Sequence, residues 1–295
     1  MKGLVSIISI NYNGLKDTCA MIESLKKHET YPYEVIVVDN GSKLNEAEEI
    51  ARRYPEVKTV RNENTGFAGG NNVGLKLVQG EFVFFLNNDT EINEPVLEKL
   101  VDRLKGDERT GGVSPMICFF HQPDTLQFAG FTELTGITLR NSCTGFGEKA
   151  DGYRKAAETA SLHGAAMMVP KRVIDEMGTM TEVYFLFYEE LDWSEQIKRG
   201  GYKLWYEPAA TIYHKEGQTA KKGSPMREFY LSRARVLFAR RNRFGWRKWL
   251  CCTYLMSIAA PKKALLYLLK GEGRLAWAVL KGSWKGLFMM VGTTV

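Results

Sequence analysis

Residues 82–92 read FVFFLNNDTEI. Five apolar residues, Phe82 to Leu86, run straight into two amides and a carboxylate, Asn87, Asn88 and Asp89. A short apolar run bounded by turn residues is the pattern of a strand buried on both faces. Residues 5–10, 34–38 and 57–61 repeat it upstream, and residues 113–119 supply a fifth run. Between them lie helical patterns: Leu15, Cys19, Ile22 and Leu25; Ala47, Ile50 and Ala51; Val96, Leu97, Leu100, Val101 and Leu104. Alternating strands and helices predict an α/β fold with a mainly parallel sheet. In such sheets ligands bind beyond the carboxyl ends of the strands, where strand order reverses. The residues just past the strands are Asn11-Tyr12-Asn13, Asp39-Asn40-Gly41-Ser42, residues 62–64 and Asn87-Asn88-Asp89. One such set is ordinary turn chemistry. Four on one sheet edge point to a site. With the fourth strand beside the first and the second on its other side, Asp39 and Asp89 lie about two strand spacings apart, roughly 10 Å.

The glycines exclude two common nucleotide folds. A dinucleotide fingerprint needs G-x-G-x-x-G directly after the first strand, where this chain has NYNGLKD, and no GxxxxGK[ST] occurs. The glycine-rich run NTGFAGGNNVG follows the third strand instead. A sugar nucleotidyltransferase would also carry a glycine-rich loop after its first strand.

The 295 residues, 44% of them hydrophobic, suffice for one large domain or one domain with an appendage. Residues 226–295 hold fourteen Lys or Arg and two Asp or Glu, against twenty-six and thirty-two in residues 1–225. An acidic body of −6 thus carries a tail of +12, which suits an anionic surface. The five cysteines form no CxxC pair and no metal spacing. Met1-Lys2-Gly3 leads into a strand without a signal-like segment, so a cytoplasmic protein is expected.

VSIISINYNG, VIVVDNGS, NTGFAGGNNVGL, FLNNDTEI, HGAAMMVPK, FYEELDWSEQIKRGGYKLWYEP and TIYHKEG occur in the order seen in family 2 glycosyltransferases. The chain resembles their rhamnosyltransferase-like branch over roughly residues 4–245. The resemblance implies a GT-A fold, a nucleoside-diphosphate sugar donor, a divalent cation (Mg²⁺ or Mn²⁺) and inversion at the anomeric carbon. With the charge asymmetry, the chain divides into a catalytic domain, 1–225, and a basic amphipathic helical tail, 226–295. The donor half spans about 1–119 and the acceptor half about 120–225.

Residue roles follow from the same resemblance. Asp39 stands at the family's base-binding position, flanked by Asn11, Tyr12 and Asn13; the alternative is an Asx-turn with Gly41. Asn64, Gly66, Asn72 and Asn88 fall on the donor side, with the Gly66–Gly74 run approaching the donor and Asn71 and Asn72 opening the next helix. Asp89 matches the last residue of the DxD-like motif that binds the cation. Asn87 replaces the first Asp, which leaves one carboxylate here. His214 is a candidate second ligand or diphosphate contact. An inverting transfer needs a base for the acceptor hydroxyl. Glu190 stands at the family's base position, usually Asp, and Asp192 is the fallback. Aromatic surroundings and like-charged neighbours would raise its pKa. The alternative is that these acids merely suit a helix N-terminus. His163, Gly164, Ala165, Glu189 and Trp193 line the acceptor side; for His163 the alternative is a surface turn residue.

The expected activity is an inverting, metal-dependent transfer of a sugar, rhamnose among the candidates, to a lipid-linked or polysaccharide acceptor in envelope glycan synthesis. No nucleic-acid partner is expected. A processive synthase would carry QxxRW, but Gly200 follows Arg199 here. A non-catalytic donor-binding subunit is a further alternative, opposed by intact Asp39, Asp89 and Glu190. In the tail, the longest apolar stretch, residues 249–260, is too short to span a bilayer, and Pro261-Lys262-Lys263 interrupts it. From Arg274 a helix would separate Arg274, Lys281 and Lys285 from Trp277, Leu280, Trp284, Leu287 and Val291, with Gly282 and Gly286 weakening it. That is an interfacial pattern, and it predicts a peripheral protein on the inner face of the cell membrane. Capping of the catalytic domain, or a dimer contact, is the alternative.

Overall fold

Strand β4 (Phe82–Leu86) is buried throughout, and its side chains alternate between two cores. Phe82, Phe84 and Leu86 face one, Val83 and Phe85 the other. Burying each such large side chain is worth about 1.5–3 kcal/mol, which is why this run reads so plainly. The computed structural model describes residues 1–215 and 223–292.

The donor half is a βα alternation: β1 (Val5–Asn11), α1 (Leu15–His28), β2 (Tyr33–Asn40), α2 (Glu46–Arg53), β3 (Lys58–Asn62) and α3 (Gly66–Leu75) lead into β4. Then come β5 (Thr90–Glu91), α4 (Leu97–Lys105), β6 (Thr110–Phe119) and β7 (Gln122–Phe128). The acceptor half adds β8 (Ala157–Glu158), β9 (Ala166–Pro170), α5 (Lys171–Met177), α6 (Glu189–Arg199) and β10 (Lys203–His214). One sheet joins both halves in the order β3-β2-β1-β4-β9-β6-β10-β5. The pairs β3–β2, β2–β1, β1–β4 and β6–β10 are parallel. β9 runs antiparallel between β4 and β6. It therefore brings its start, not its end, to the edge where β1, β2, β4, β6 and β10 all finish. The sheet is mixed and mainly parallel, as expected.

Two local expectations are corrected. The glycine-rich run is not a loop that precedes a helix: α3 begins at Gly66, so Asn71 and Asn72 lie inside it. The glycines let the helix sit close to the sheet and to the chain before α6. A Cβ on Gly74 would meet Ile8 Cγ2 at 2.6 Å.

The tail is four helical segments: α7 (Pro225–Asn242), α8 (Gly245–Tyr254), α9 (Ala260–Leu269) and α10 (Gly273–Phe288). Pro261 does not break the chain. A π-helical turn at Leu255–Ala259 joins α8 to α9, and Pro261 falls in the first turn of α9, where an N–H is not needed. α7 shares a buried cluster with Leu139 and Tyr184 of the body. A boundary at residue 225 thus cuts through one core. α10 lies on α7, with Gly282 and Gly286 against the carbonyls of Phe229 and Arg233. These glycines, read as a weakness, form the contact stripe: side chains there would keep the helices apart.

Candidate active site

Topology alone gathers the acidic and imidazole groups. β4 and β10 end at the same edge, so Asp89 and His214 meet across it. His214 Nε2 lies 3.1 Å from Asp89 Oδ1, and both residues are less than a tenth exposed. His214 Nδ1 lies 2.7 Å from Gln127 Oε1. The last two residues of TIYHKEG, 216–217, lie outside the described residues.

The start of β9 brings residues 163–165 to this edge. Asn87 N–H donates to the Ala165 carbonyl, 2.9 Å, joining the turn to the end of β4. His163 is no surface turn residue. It stacks on Phe131, with ring planes 3° apart, and its Nδ1 accepts the Ala165 N–H at 3.1 Å. Burial, with a smaller effect from His214, pushes its pKa down to about 3, so it is neutral.

Glu190 faces the same turn. A Cβ on Gly164 would stand 3.6 Å from the Glu190 carboxyl carbon, an ordinary contact distance, so the carboxylate lies directly against this glycine. Burial pushes the Glu190 carboxyl above the usual range, opposed by backbone N–H groups at the start of α6. Glu189 is fully buried, and burial reinforced by Glu190's charge pushes it up to about 8. These are neighbouring acids in a site that disfavours charge, on a helix N-terminus that tolerates one.

The chain before α6 is strained. Phe185, Phe187 and Tyr188 all have φ near +70°. Such backbone costs roughly 1–2 kcal/mol per residue outside glycine and persists only where the surroundings over-determine it. They do so here. Phe67 N–H donates to the Phe185 carbonyl at 3.0 Å, the Phe185 ring stacks on Tyr230, Arg227 lies over Phe187, and Arg233 donates to the Tyr184 carbonyl. Gly66, at φ +81°, makes the first contact possible: a Cβ there would fall 2.1 Å from the Phe185 carbonyl oxygen. The close approach of this glycine is to the Glu190 loop.

Residues 6–157, just over half the chain, match the family model for Glycosyl transferase family 2. The chain belongs to glycosyltransferase family 2. It is similar to a cholesterol galactosyltransferase of Borreliella burgdorferi, at 31% identity over 35% of this chain and 30% of that one. Relatives at this identity are matched over less than half their own length. It is similar at 20% identity to an N-acetylglucosaminyl-diphospho-decaprenol L-rhamnosyltransferase of Mycobacterium tuberculosis (strain CDC 1551 / Oshkosh), over 88% of this chain and 92% of the relative. Among solved structures it resembles GalNAc-T7 with UDP, GalNAc and Mn²⁺, with TM-score 0.63 and 16% identity over 89% of this chain and 57% of that one. The fold of this family 2 chain is GT-A.

Other sequence-derived residues of the family 2 chain support the site from behind. Asp39 is fully buried. Its Oδ1 accepts from Ser42 N–H at 3.2 Å and Asn11 Nδ2 at 3.4 Å, and its Oδ2 from Ala47 N–H at 3.4 Å, in the first turn of α2. Asn11 is also buried, donating to Glu46 at 2.7 Å, whereas Tyr12 is exposed beside it. Asn13 bridges to residues 42 and 43. Asn64 accepts from Gly66 N–H, and Asn88 donates to Thr18, fixing the end of β4 on α1. Asn72 donates to the Met180 carbonyl and to Glu182, which ties α3 to the approach to α6.

Two expectations are corrected outright. Trp193 is a core residue: it packs edge-on to Phe85, donates to the Gly178 carbonyl at 2.9 Å and is 1% exposed, so it has no surface to offer an acceptor. Asp192 is no free base. It is 1% exposed and accepts from Tyr184 Oη, Asn242 Nδ2 and Arg241 Nε at 2.6, 2.7 and 2.9 Å. It locks α6 to α7. Sequence reasoning missed Gln127, whose one signal is a polar residue between Leu126 and Phe128 in a buried strand, and the α7 cations that hold the chain before α6.

Asp89 and His214 suit a divalent cation in part. Among the described residues no group of three or more His, Cys, Asp or Glu could hold one. Two protein ligands, with the rest from diphosphate and water, is the manner of Mg²⁺ and Mn²⁺ in phosphate sites.

Proposed function

We propose that this chain is an inverting glycosyltransferase that moves a sugar from a nucleoside-diphosphate donor to a lipid-linked or glycan acceptor of the cell envelope. The observation that carries this is the convergence of Glu190, the Gly164 turn and the Asp89–His214 pair on one sheet edge. The likeness to the L-rhamnosyltransferase, spanning nearly all of both chains, supports L-rhamnose as the sugar and a polyprenyl-diphosphate-linked acceptor. The likeness to GalNAc-T7, solved with UDP and Mn²⁺, supports a metal-dependent donor site.

Asp89 and His214 would hold Mg²⁺ or Mn²⁺, which when bound offsets charge on the departing nucleoside diphosphate. Asn87 and Asn88 hold the end of β4 in position through the Ala165 carbonyl and Thr18. Glu190 accepts the proton of the acceptor hydroxyl as that oxygen attacks the anomeric carbon. Its raised pKa brings it closer to the operating pH of a general base. The neutral His163 and the Gly164-Ala165 turn form the floor beneath the acceptor.

The acceptor's lipid accounts for the tail. No helix among the described residues is long and apolar enough to cross a membrane. Yet Trp246, Trp249, Leu269, Trp277, Trp284 and Phe288 are each at least 60% exposed. With the basic excess of the tail, this is a surface that lies on an anionic bilayer. α10 is two-sided, small residues on α7 and tryptophans outward, so the tail both caps the body and meets the membrane.

The test is a panel of nucleoside-diphosphate sugars with Mn²⁺ and a polyprenyl-diphosphate-linked sugar, scored by nucleoside diphosphate release and product mass. Release with at least one donor, lost in Asp89→Ala, is expected. No release and no thermal shift with any donor would refute the reading.

A further inference from the structure

We infer that Gln127 is a positioning residue for the cation site, acting through His214. The inference rests on the metal-dependent reading above and deepens it. Strand β7 gains one residue where it pairs with β6: Leu126 pairs with Cys118 and Phe128 with Ile117, so Gln127 sits in a bulge. Bulges re-aim side chains, often beside active sites. Here the bulge turns an amide into a dry interior between two fully buried apolar residues, and Gln127 itself is 4% exposed.

Both ends of that amide meet the same residue. Gln127 Nε2 donates to the His214 carbonyl at 3.4 Å, and Oε1 lies 2.7 Å from His214 Nδ1. The carbonyl can only accept, so it dictates which way the amide points. A reversed amide would set two oxygens against each other. With Oε1 toward the ring, Nδ1 must carry the hydrogen. His214 Nε2 is then the ring nitrogen that faces Asp89 Oδ1, 3.1 Å away, on the side where a cation would sit. Without Gln127, the hydrogen bond that places a hydrogen on Nδ1 and fixes the angle of the ring is lost. Gln127 thus decides which ring nitrogen His214 presents to the site. Partners of this kind are worth about 10–100-fold in metal affinity.

The test compares Gln127→Met, which removes donor and acceptor, with Gln127→Glu, which keeps the acceptor and replaces the donor by a carboxyl oxygen. The first readout is the His214 tautomer in metal-free protein, from long-range ¹H–¹⁵N spectra of the imidazoles; the chain has four histidines, and His214→Gln supplies the assignment. The second is Mn²⁺ affinity by electron paramagnetic resonance in the presence of nucleoside diphosphate. Wild type and Gln127→Glu should show a hydrogen on Nδ1. Gln127→Met should lose it and bind Mn²⁺ about 10–100-fold more weakly. A wild-type ring with no hydrogen on Nδ1, or Gln127→Met with unchanged Nδ1 protonation and affinity, overturns the inference while leaving the proposed activity standing. A wild type that binds no Mn²⁺ in an Asp89-dependent way overturns the metal reading, and the tautomer result still decides the role of Gln127.

Discussion

Replacing Asp192 by asparagine, beside Glu190→Gln, separates two carboxylates that lie two positions apart on one helix. Asp192 accepts from Tyr184, Arg241 and Asn242 in a setting where Asp192 and Arg241 are 1% and 3% exposed. Removing the charge from one partner of a buried ion pair costs about 3–5 kcal/mol. Domains hold about 5–15 kcal/mol in total, so roughly a fifth or more of the stability is at stake. With a urea m-value near the upper end of about 1–3 kcal/mol/M, the unfolding midpoint should fall by about 1 M or more. Below that midpoint the protein should still bind donor, because the proposed donor residues lie at the ends of β1, β2 and β4 rather than on α6. Glu190→Gln should behave in the opposite way. It removes a carboxylate whose charge burial disfavours, so the urea midpoint should hold or rise. Sugar transfer should drop by at least about 10²-fold, the lower end for loss of a general base. The assay pairs urea unfolding followed by tryptophan fluorescence with nucleoside diphosphate release under saturating donor. An unchanged midpoint in Asp192→Asn would refute the anchoring role. A near-normal rate in Glu190→Gln would move the base elsewhere.

Glu189 has a folded pKa raised to about 8 by burial and by Glu190's charge. The folded protein therefore holds a proton that the unfolded chain releases near pH 4.5, so stability should fall as pH rises from about 4.5 through about 8; urea titrations across that range should show the slope in wild type and lose it in Glu189→Gln. Gly66→Ala forces a Cβ onto the Phe185 carbonyl at a φ of +81°. It should cost more than about 1 kcal/mol and lower transfer by displacing the Glu190 loop; wild-type rate at wild-type stability would sink that account. Trp277→Ser with Trp284→Ser removes two outward aromatics from α10. Each can bury at least 150 Å², so binding to anionic vesicles in a sedimentation assay should weaken by at least about tenfold with no change in thermal midpoint; equal sedimentation of both proteins would exclude this face as the membrane contact.

What the sequence by itself determined was the fold and the edge. Apolar runs such as Phe82–Leu86 advertise buried strands because burial on both faces tolerates no polar interruption. The polar residues that end them advertise the edge for the same reason. The family motifs carried Asp89, His214 and Glu190 onto that edge. The roles of individual polar residues were decided only by tertiary structure. Glu190 and Asp192 are both acids in the first turn of α6. One faces a glycine turn and the other a guanidinium 49 residues away in the chain, a partner that local pattern cannot reveal. Trp193 looked like an aromatic wall, yet its helical phase turns it into the core against Phe85. Gln127 was invisible because its meaning lies in a bulge and in a ring nitrogen 87 positions away. Likewise Gly282 and Gly286 read as defects in a helix until α7 lies against them, since a glycine's worth is set by how closely another backbone must come.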